Sequence, residues 1–328
     1  MSSSPTFDVQ AAARRLQGIA LRTPLLENER VNAKLGGRLL VKAECLQRTG
    51  SFKIRGAYNF LACMSEADRT KGVVGWSSGN HAQGLAEAAR LLSVKATIVM
   101  PADAPALKVA NTRASGAEIV LYDRVKESRE AIGLGIAEKT GATVVPPYDH
   151  PWILTGQGTA GLELAEQAKA LGVTLDAVAA PCSGGGLATG VALGVRGISP
   201  STVVHAGEPA GFDDMARSLA AGRKQRNDKL SGSICDALLA PEPGDVTFLL
   251  ARQVLGPGLV VTDDEVLEAM EVAFREFKLV VEPGGAVALA AALAGKLPVK
   301  SRAVAVVCSG GNVDHDTFRR ALERRPGA

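Results

Sequence analysis

The hydrophobic positions of the chain come in short β-branched runs that alternate with longer, alanine-rich stretches. Examples of the runs are GVVGW from residue 72, KATIVM from residue 95 and AEIVLYD from residue 117. Apolar strands that alternate with helical patterns predict parallel sheets covered by helices on both faces. The pattern therefore predicts an α/β protein, and its length of 328 residues predicts two lobes.

Four junctions between predicted strands and helices are rich in glycine and hydroxyl residues. They read TGSFK (49–53), SSGNHAQG (77–84), CSGGGLATG (182–190) and CSGGN (308–312). In open α/β sheets, ligands bind beyond the carboxyl ends of the strands. We therefore expect these distant segments to converge on one ligand. Towards the C-terminus, Thr262 is predicted to cap an amphipathic helix, and SRAVAVVCSGG predicts one more buried strand.

Composition narrows the class of partner. The 37 basic residues nearly balance the 34 acidic ones and only 4% of residues are aromatic, which argues against a nucleic-acid surface. No segment has about 18 uninterrupted apolar residues and the N-terminus lacks an apolar signal core, so we expect no membrane partner and a cytoplasmic location. The five cysteines lack CxxC spacing, which is typical of reduced thiols.

The segment SGGGLATG follows a predicted strand and opens a predicted helix, so its backbone N–H groups can form a nest for an anion. A tight turn would not require three consecutive glycines, and this favours phosphate. The dinucleotide pattern G-x-G-x-x-G/A fails at Thr189, although Glu208 could imitate the ribose-binding acid, and no GK[ST] is present. A cofactor with a single phosphate is therefore favoured.

Lys53 lies between Phe52 and Ile54 at the start of a predicted helix. A desolvated lysine amine forms Schiff bases with aldehydes, and pyridoxal 5'-phosphate carries both an aldehyde and one phosphate. Two other classes stay open at this point. They are a nicotinamide-dependent oxidoreductase that uses the Gly184 loop and a non-catalytic binder of a phosphate ligand.

Five motifs in order, SFKIRGA, SSGNHAQG, SGGGLATG, VEPGGA and CSGGN, resemble the fold-type II pyridoxal-phosphate enzymes. Within them, the chain is most similar to the serine/threonine dehydratase and serine racemase group, from RTPLLE to CSGGNVD. The resemblance implies two lobes with twisted, mostly parallel sheets. It implies a large cofactor-binding domain of residues 1–70 and 150–328, a small mobile domain of residues 71–149, and a homodimer.

The resemblance also implies the roles of single residues. Lys53 would be the Schiff-base lysine and the base that removes the substrate α-proton, Phe52 would pack against the cofactor ring, and Asn80 would bond the ring hydroxyl. Ser309 would face the pyridine nitrogen. The remaining cofactor-binding residues implied by the motifs are Gly184, Gly185, Gly186, Leu187 and Glu282.

A serine beside the pyridine nitrogen does not force its protonation as a carboxylate would, and this points to β-elimination rather than transamination. The implied reaction is the dehydration and deamination of a β-hydroxy amino acid to a 2-oxo acid and ammonia. Ser78 would lie on the ring face opposite the lysine, so racemisation is also possible. The substrate carboxylate would be held by Ser77, Ser78, Asn80 and His81.

L-Threonine or L-serine is the first expectation for the substrate, followed by 3-hydroxyaspartate and then by serine racemisation. Tyr148 matches threonine dehydratases better than racemases. Arg129 matches an arginine that can meet a second carboxylate, and a solvated helix charge is as well supported by the sequence. Asp236 is retained in SICDAL, but Ala237 replaces a glycine and adds bulk that could reshape the side-chain pocket.

The segment HAGEPAGFDDM carries Glu208, Asp213 and Asp214. Composition alone favours a solvated acidic turn. The resemblance instead implies a divalent cation held by Glu208, Asp214 and the backbone carbonyl of Phe212. Oxygen ligands suit magnesium, manganese or calcium, in a structural or activating role.

Overall fold

The computed structural model of the protein describes residues 7–104 and 106–324, which build two β-sheets. The strands are β1 (Leu25–Glu27), β2 (Arg38–Lys42), β3 (Val73–Trp76), β4 (Ala96–Pro101), β5 (Glu118–Tyr122), β6 (Thr143–Val144), β7 (Ala177–Pro181), β8 (Val203–Pro209), β9 (Leu259–Val261) and β10 (Ala303–Val307). The larger sheet has the order β1-β2-β10-β7-β8-β9, and the smaller has the order β5-β4-β3-β6.

Every pair of neighbouring strands in both sheets is parallel except β1 with β2, which is antiparallel. The central strands β4 and β7 are buried along their whole length, as expected for strands covered on both faces. The predicted α/β class with mostly parallel sheets flanked by helices is confirmed. The four strands of the smaller sheet all come from residues 73–144, and the domain boundaries at residues 71 and 149 stay a prediction.

Helices connect the strands. They are α1 (Val9–Leu16), α2 (Glu29–Leu35), α3 (Lys53–Cys63), α4 (Glu66–Lys71), α5 (Asn80–Leu91), α6 (Ala106–Ala114), α7 (Arg129–Thr140), α8 (Pro151–Ala170), α9 (Gly186–Arg196), α10 (Asp214–Ala221), α11 (Asp245–Val254), α12 (Asp263–Phe277), α13 (Pro283–Leu293) and α14 (His315–Leu322). Thr262 caps α12 as predicted, since its hydroxyl accepts the Glu265 N–H.

Helices α8 and α9 touch backbone to backbone. A Cβ added at Gly194 would lie 2.1 Å from the carbonyl oxygen of Gly158, and one added at Gly161 would lie 2.3 Å from that of Val191. Such distances are far below van der Waals contact, so only glycine permits this approach. The helix that follows the SGGG segment is therefore seated directly on the longest helix of the described chain.

The five cysteines are free, and Cys45, Cys182, Cys235 and Cys308 are buried. Burial raises the pKa of the Cys45 and Cys235 thiols to about 12. These four side chains pack in the apolar core as small hydrophobic groups. Among the residues that the structure describes, no helix has the length and apolar character needed to cross a membrane.

Candidate active site

Lys53 is the first residue of α3, and its side chain is partly buried. Its Nζ donates a hydrogen bond to the carbonyl oxygen of Pro147 at 2.8 Å and lies 5.2 Å from the centre of the Phe52 ring. Desolvation lowers the pKa of the Lys53 amine from 10.5 to about 8, although the nearby Glu282 carboxylate partly opposes this shift. A lysine in this environment is far easier to deprotonate than one in water.

Three of the four predicted junctions meet beside Lys53. Asn312 donates from its Nδ2 to the carbonyl oxygen of Thr49 at 2.9 Å and to Asn80 Oδ1 at 2.7 Å. The Phe52 N–H donates to the carbonyl oxygen of Ser309 at 3.1 Å. The segments 49–53, 77–84 and 308–312 are therefore in direct contact, as their position at strand ends predicts.

The fourth junction reaches the same cleft through Tyr148. A Cβ added at Gly184 would lie 2.2 Å from the Tyr148 ring, and one added at Gly186 would lie 2.8 Å from Tyr148 Cβ. Gly185 has a φ of +94°, a left-handed conformation that favours glycine. Because Pro147 bonds Lys53 while Tyr148 packs on the glycines, the lysine and the SGGG segment face one space.

The helices that begin at this cleft differ from the peripheral helices in how their N-termini are capped. Helices α3, α5, α9 and α13 begin here without a side-chain cap, at Phe52, Gly79, Gly185 and Glu282. Peripheral helices are capped by side chains; examples are Asp8, Asn28, Ser65, Ser128 and Asp314. Uncapped N-termini leave backbone N–H groups available to an anionic ligand.

These features fit pyridoxal phosphate. The uncapped start of α9 and the left-handed Gly185 suit the phosphate, while the amine of Lys53, with its lowered pKa, suits the aldehyde. Ser309, predicted to face the pyridine nitrogen, is buried, and its chain neighbour Gly310 lets Glu282 approach closely, since a Cβ at Gly310 would lie 2.1 Å from Glu282 Oε1. The predicted cofactor-binding residues Phe52, Leu187 and Glu282 lie on the elements that form this cleft.

Ser77 and Ser78, at the end of β3, line a polar cavity of about 40 Å³ together with the arginines Arg124 and Arg129. Arg129 is the first residue of α7; its side chain is about half exposed and pairs with Glu130 at 3.0 Å. Arg124 pairs with Asp103 at 2.7 Å. Two guanidinium groups thus stand beside the hydroxyl-rich SSGNH segment.

His81 is buried, and its Nε2 lies 3.2 Å from the carbonyl oxygen of Val145. Burial, together with the nearby Lys53 charge, lowers the pKa of this imidazole to about 3, so the ring is neutral at physiological pH. The His81 side chain therefore contacts the end of β6, and any contact of this residue with a substrate carboxylate would come from its backbone. Asp236 is exposed in a 3₁₀ turn.

Two carboxylates of the acidic segment, Glu208 at the end of β8 and Asp214 at the start of α10, are buried rather than solvated. Glu208 accepts the Met215 and Ala216 N–H groups at 2.9 and 2.7 Å, and Asp214 Oδ1 accepts from Asn227 at 2.6 Å. Burial is the main cause that raises the pKa of Glu208 well above its usual range and that of Asp214 to about 6. The solvated-turn interpretation is wrong, since both carboxylates are fully buried.

Asp214 Oδ2 is buried without a hydrogen-bond partner. Phe212, whose carbonyl is the third predicted ligand, lies two residues earlier in the chain and is also buried. An orphaned carboxylate oxygen suits a hard cation. Within residues 7–104 and 106–324, however, no three His, Cys, Asp or Glu side chains are grouped as a metal site. A cation here would need backbone or water oxygens in addition to the two carboxylates.

Three further residues organise the site and are not among the residues predicted from the sequence. Asn312 holds Asn80, Arg124 accompanies Arg129, and Asn227 bonds Asp214. Asn312 belongs to the quoted CSGGN motif, so its position in a ligand-facing junction is the available signal. Arg124 and Asn227 lie in polar stretches whose sequence resembles ordinary loops, and only their tertiary contacts identify them.

Comparison with known proteins identifies the family of the chain. Residues 16–309 match the family model described as "Pyridoxal-phosphate dependent enzyme". The L-threo-3-hydroxyaspartate ammonia-lyase of Pseudomonas sp is 44% identical, over 98% of this chain and 100% of that protein. The structure of maize serine racemase superposes with a TM-score of 0.89 at 38% identity, covering 96% of this chain and 95% of that one. The structure of serine racemase from Dictyostelium discoideum gives a TM-score of 0.88 at 36% identity, covering 95% and 100%.

A relative that is named for threonine is also similar over nearly the whole chain. The L-threonine ammonia-lyase of Thermotoga maritima is 38% identical, over 97% of this chain and 78% of that protein. The relatives therefore include hydroxyaspartate and threonine ammonia-lyases as well as serine racemases.

The fold and the lysine-and-glycine cleft thus define a cofactor-dependent α/β enzyme. The chain belongs to the family of pyridoxal-phosphate dependent enzymes, of fold type II. The predicted resemblance to serine/threonine dehydratases and serine racemases is confirmed, and pyridoxal phosphate is the cofactor. The alternatives of a nicotinamide-dependent oxidoreductase and of a non-catalytic phosphate binder are not supported.

Proposed function

We propose that the protein catalyses β-elimination from a β-hydroxy α-amino acid, with release of a 2-oxo acid and ammonia. The observation that carries this proposal is the amine of Lys53, whose pKa is lowered to about 8 in the cleft where the predicted junctions meet. An amine with a pKa near the working pH is well suited to take a proton from a substrate. The bound cofactor supplies the electron sink for the electrons left at the substrate α-carbon.

In this proposal Lys53 removes and holds the α-proton. The Pro147 carbonyl, 2.8 Å from Nζ, accepts a hydrogen bond from the amine and fixes its direction. Glu282 lies close enough to raise the pKa of Lys53, and it therefore sets how readily the amine returns its proton. Asn80, held by Glu282 and Asn312, would bond the cofactor ring hydroxyl.

The substrate carboxylate would bind at the N-terminus of α5. Gly79 caps this helix without a side chain, so the N–H groups of its first turn face the cleft. The hydroxyls of Ser77 and Ser78 stand immediately before it, and Ser77 Oγ accepts the Gly79 N–H at 3.1 Å. Ser78 is also the residue we propose for proton return on the opposite face, if racemisation accompanies elimination.

L-Threonine and L-serine are the first candidate substrates. L-threo-3-Hydroxyaspartate is the second, and the cavity that Arg124 and Arg129 share with Ser77 and Ser78 favours it. A guanidinium can bind a second carboxylate in a bidentate fashion, which threonine and serine cannot exploit. Tyr148 and Asp236 are the further residues proposed to shape the side-chain pocket.

A substrate panel with two variants tests the proposal. Lys53→Ala should keep the fold and abolish release of keto acid, and turnover by this variant would disprove the catalytic role of Lys53. Arg129→Met should lower kcat/KM for 3-hydroxyaspartate by roughly tenfold or more and leave serine nearly unchanged. Equal loss on both substrates would remove the case for a second-carboxylate site. Keto acid and serine inversion are followed separately.

We also propose that Glu208, Asp214 and the Phe212 carbonyl hold magnesium, manganese or calcium in a structural role. The buried Asp214 Oδ2 without a partner supports this. Added cation should raise the melting temperature of the wild type and not of Asp214→Asn. A melting temperature that changes with neither cation nor chelator would count against the site.

We propose that the protein is a cytoplasmic homodimer. Its mass in solution tests the oligomeric state.

A further inference from the structure

Asp149 caps a helix to which it does not belong. Helix α11 begins after Gly244, and no side chain of its own segment caps it. Asp149 Oδ2 accepts the Asp245 N–H at 2.9 Å, and Asp149 Oδ1 accepts both the Thr247 N–H at 2.9 Å and the Thr247 hydroxyl at 3.0 Å. A carboxylate at a helix N-terminus is stabilised by these donors and by the helix dipole.

Gly244 makes room for this remote cap. A Cβ added at Gly244 would lie 2.4 Å from the Asp149 carboxylate carbon. The Gly244 N–H in turn donates to the carbonyl oxygen of Gly184 at 3.2 Å. The start of α11 is thus bonded on one side to Asp149 and on the other to the first glycine of the SGGG segment.

The residues directly before Asp149 both face the cofactor cleft. Tyr148 packs against Gly184 and Gly186, and Pro147 accepts the hydrogen bond from Lys53. Asp149 is half-buried and is the residue of this short segment, Pro147 to Asp149, whose side chain is fixed by three hydrogen bonds to another element. The position of Tyr148 on the glycines therefore depends on the anchor that follows it.

We propose that Asp149 is a positioning residue for the cofactor: by holding the N-terminus of α11, it fixes Tyr148 against the SGGG segment and keeps this segment shaped for phosphate. The inference uses the family's cofactor and is independent of which amino acid is the substrate. The effect of Asp149 on cofactor binding passes through Tyr148, its chain neighbour, and through Gly244, which donates to the carbonyl oxygen of Gly184.

The test measures cofactor affinity. Each holoenzyme is stripped with hydroxylamine and titrated with pyridoxal phosphate by absorbance and fluorescence. Asp149→Ala should weaken pyridoxal phosphate about tenfold, since it removes charge-assisted bonds that shape the phosphate segment. Gly244→Ala should have a similar effect because its methyl group displaces the Asp149 carboxylate without removing it. Asp149→Asn, which keeps one acceptor oxygen for Thr247, should lie between.

A matched control separates positioning from simple helix capping. Ser65→Ala removes the cap of the peripheral helix α4, which has no buried residue, and should lower stability without changing cofactor affinity. In the background of Tyr148→Ala, Asp149→Ala should weaken the cofactor little further, since the two act together. Unchanged affinity in the Asp149 and Gly244 variants, or full additivity with Tyr148→Ala, would overturn the proposal. If Asp149→Ala does not fold, the pyridoxal phosphate affinities of Gly244→Ala and Asp149→Asn test the proposal in its place.

Discussion

Asn80 donates from its Nδ2 to Glu282 Oε1 at 2.5 Å, and this bond joins the N-terminus of α5 to the residue that precedes α13. The two helices flank different sheets, so the bond crosses the cleft. It also holds a carboxylate close enough to Lys53 to raise the pKa of its amine. Glu282 thereby serves both the orientation of Asn80 and the charge state of the lysine.

Glu282→Gln should shift the pH dependence of kcat. Glutamine can still accept from Asn80 but carries no charge, so the pKa of Lys53 should fall further below its present value of about 8. Because kcat reports groups in the enzyme–substrate complex, its acid limb should move to lower pH. The exposed Glu138→Gln is the control, and an acid limb that stays in place would show that Glu282 does not tune the lysine.

The cofactor-free protein should become more stable as the pH rises from about 8 to 10.5. In this window the Lys53 amine, whose pKa is about 8 in the folded protein, has lost its proton, while the unfolded chain still binds one at an ordinary pKa of 10.5. Stability rises with pH wherever the unfolded state holds more protons. Urea unfolding at several pH values measures this. Lys53→Met should flatten the rise, and equal slopes in the two proteins would contradict the lowered pKa.

Glu44→Gln should be strongly destabilising. Arg55 and Glu44 are both fully buried and meet at 2.8 Å, and Arg55 also bonds Glu163 at 2.8 Å. Removing one partner of a buried pair leaves an uncompensated charge, which costs about 3–5 kcal/mol of unfolding free energy.

The matched control is Glu166→Gln, which breaks the exposed pair of Arg22 with Glu166 and should cost less than about 1 kcal/mol. Chemical denaturation measures both variants. Similar small losses in the two would mean that the buried cluster tolerates an unpaired arginine.

Much of the architecture follows from hydrophobic periodicity. The runs at residues 72–76, 95–100 and 117–122 form β3, β4 and β5. Strand β4 is apolar because it is buried along its whole length, whereas β5 lies at the sheet edge and is exposed at Glu118 and Leu121. Helix α8 gives no comparable signal. It is central and rich in small residues, among them Gly156, Gly158 and Gly161, so its amphipathic pattern is weak although it also carries polar residues. The antiparallel pairing of β1 with β2 likewise depends on tertiary structure.

Site residues can be predicted where they stand in strand-to-helix junctions. Lys53, Asn80 and Ser309 are indicated by motif order, and contacts among their segments bring them together. Asp149 cannot be predicted from sequence because its partners are nearly a hundred residues away in the chain, at Asp245 and Thr247. Sequence also leaves undecided whether Glu208 is solvated or buried, since an acidic loop has the same composition in both cases.

The backbone contact between α8 and α9 has a consequence for how the cleft can respond to a ligand. No side chain lies between Gly158 and Gly194 that could change rotamer, and main-chain atoms in contact are nearly incompressible. The side of the cleft that carries the SGGG segment is therefore rigid. Any widening or narrowing of the cleft must come from movement of the opposite side, at the smaller sheet. The phosphate contacts can therefore stay unchanged while substrates of different size bind and leave.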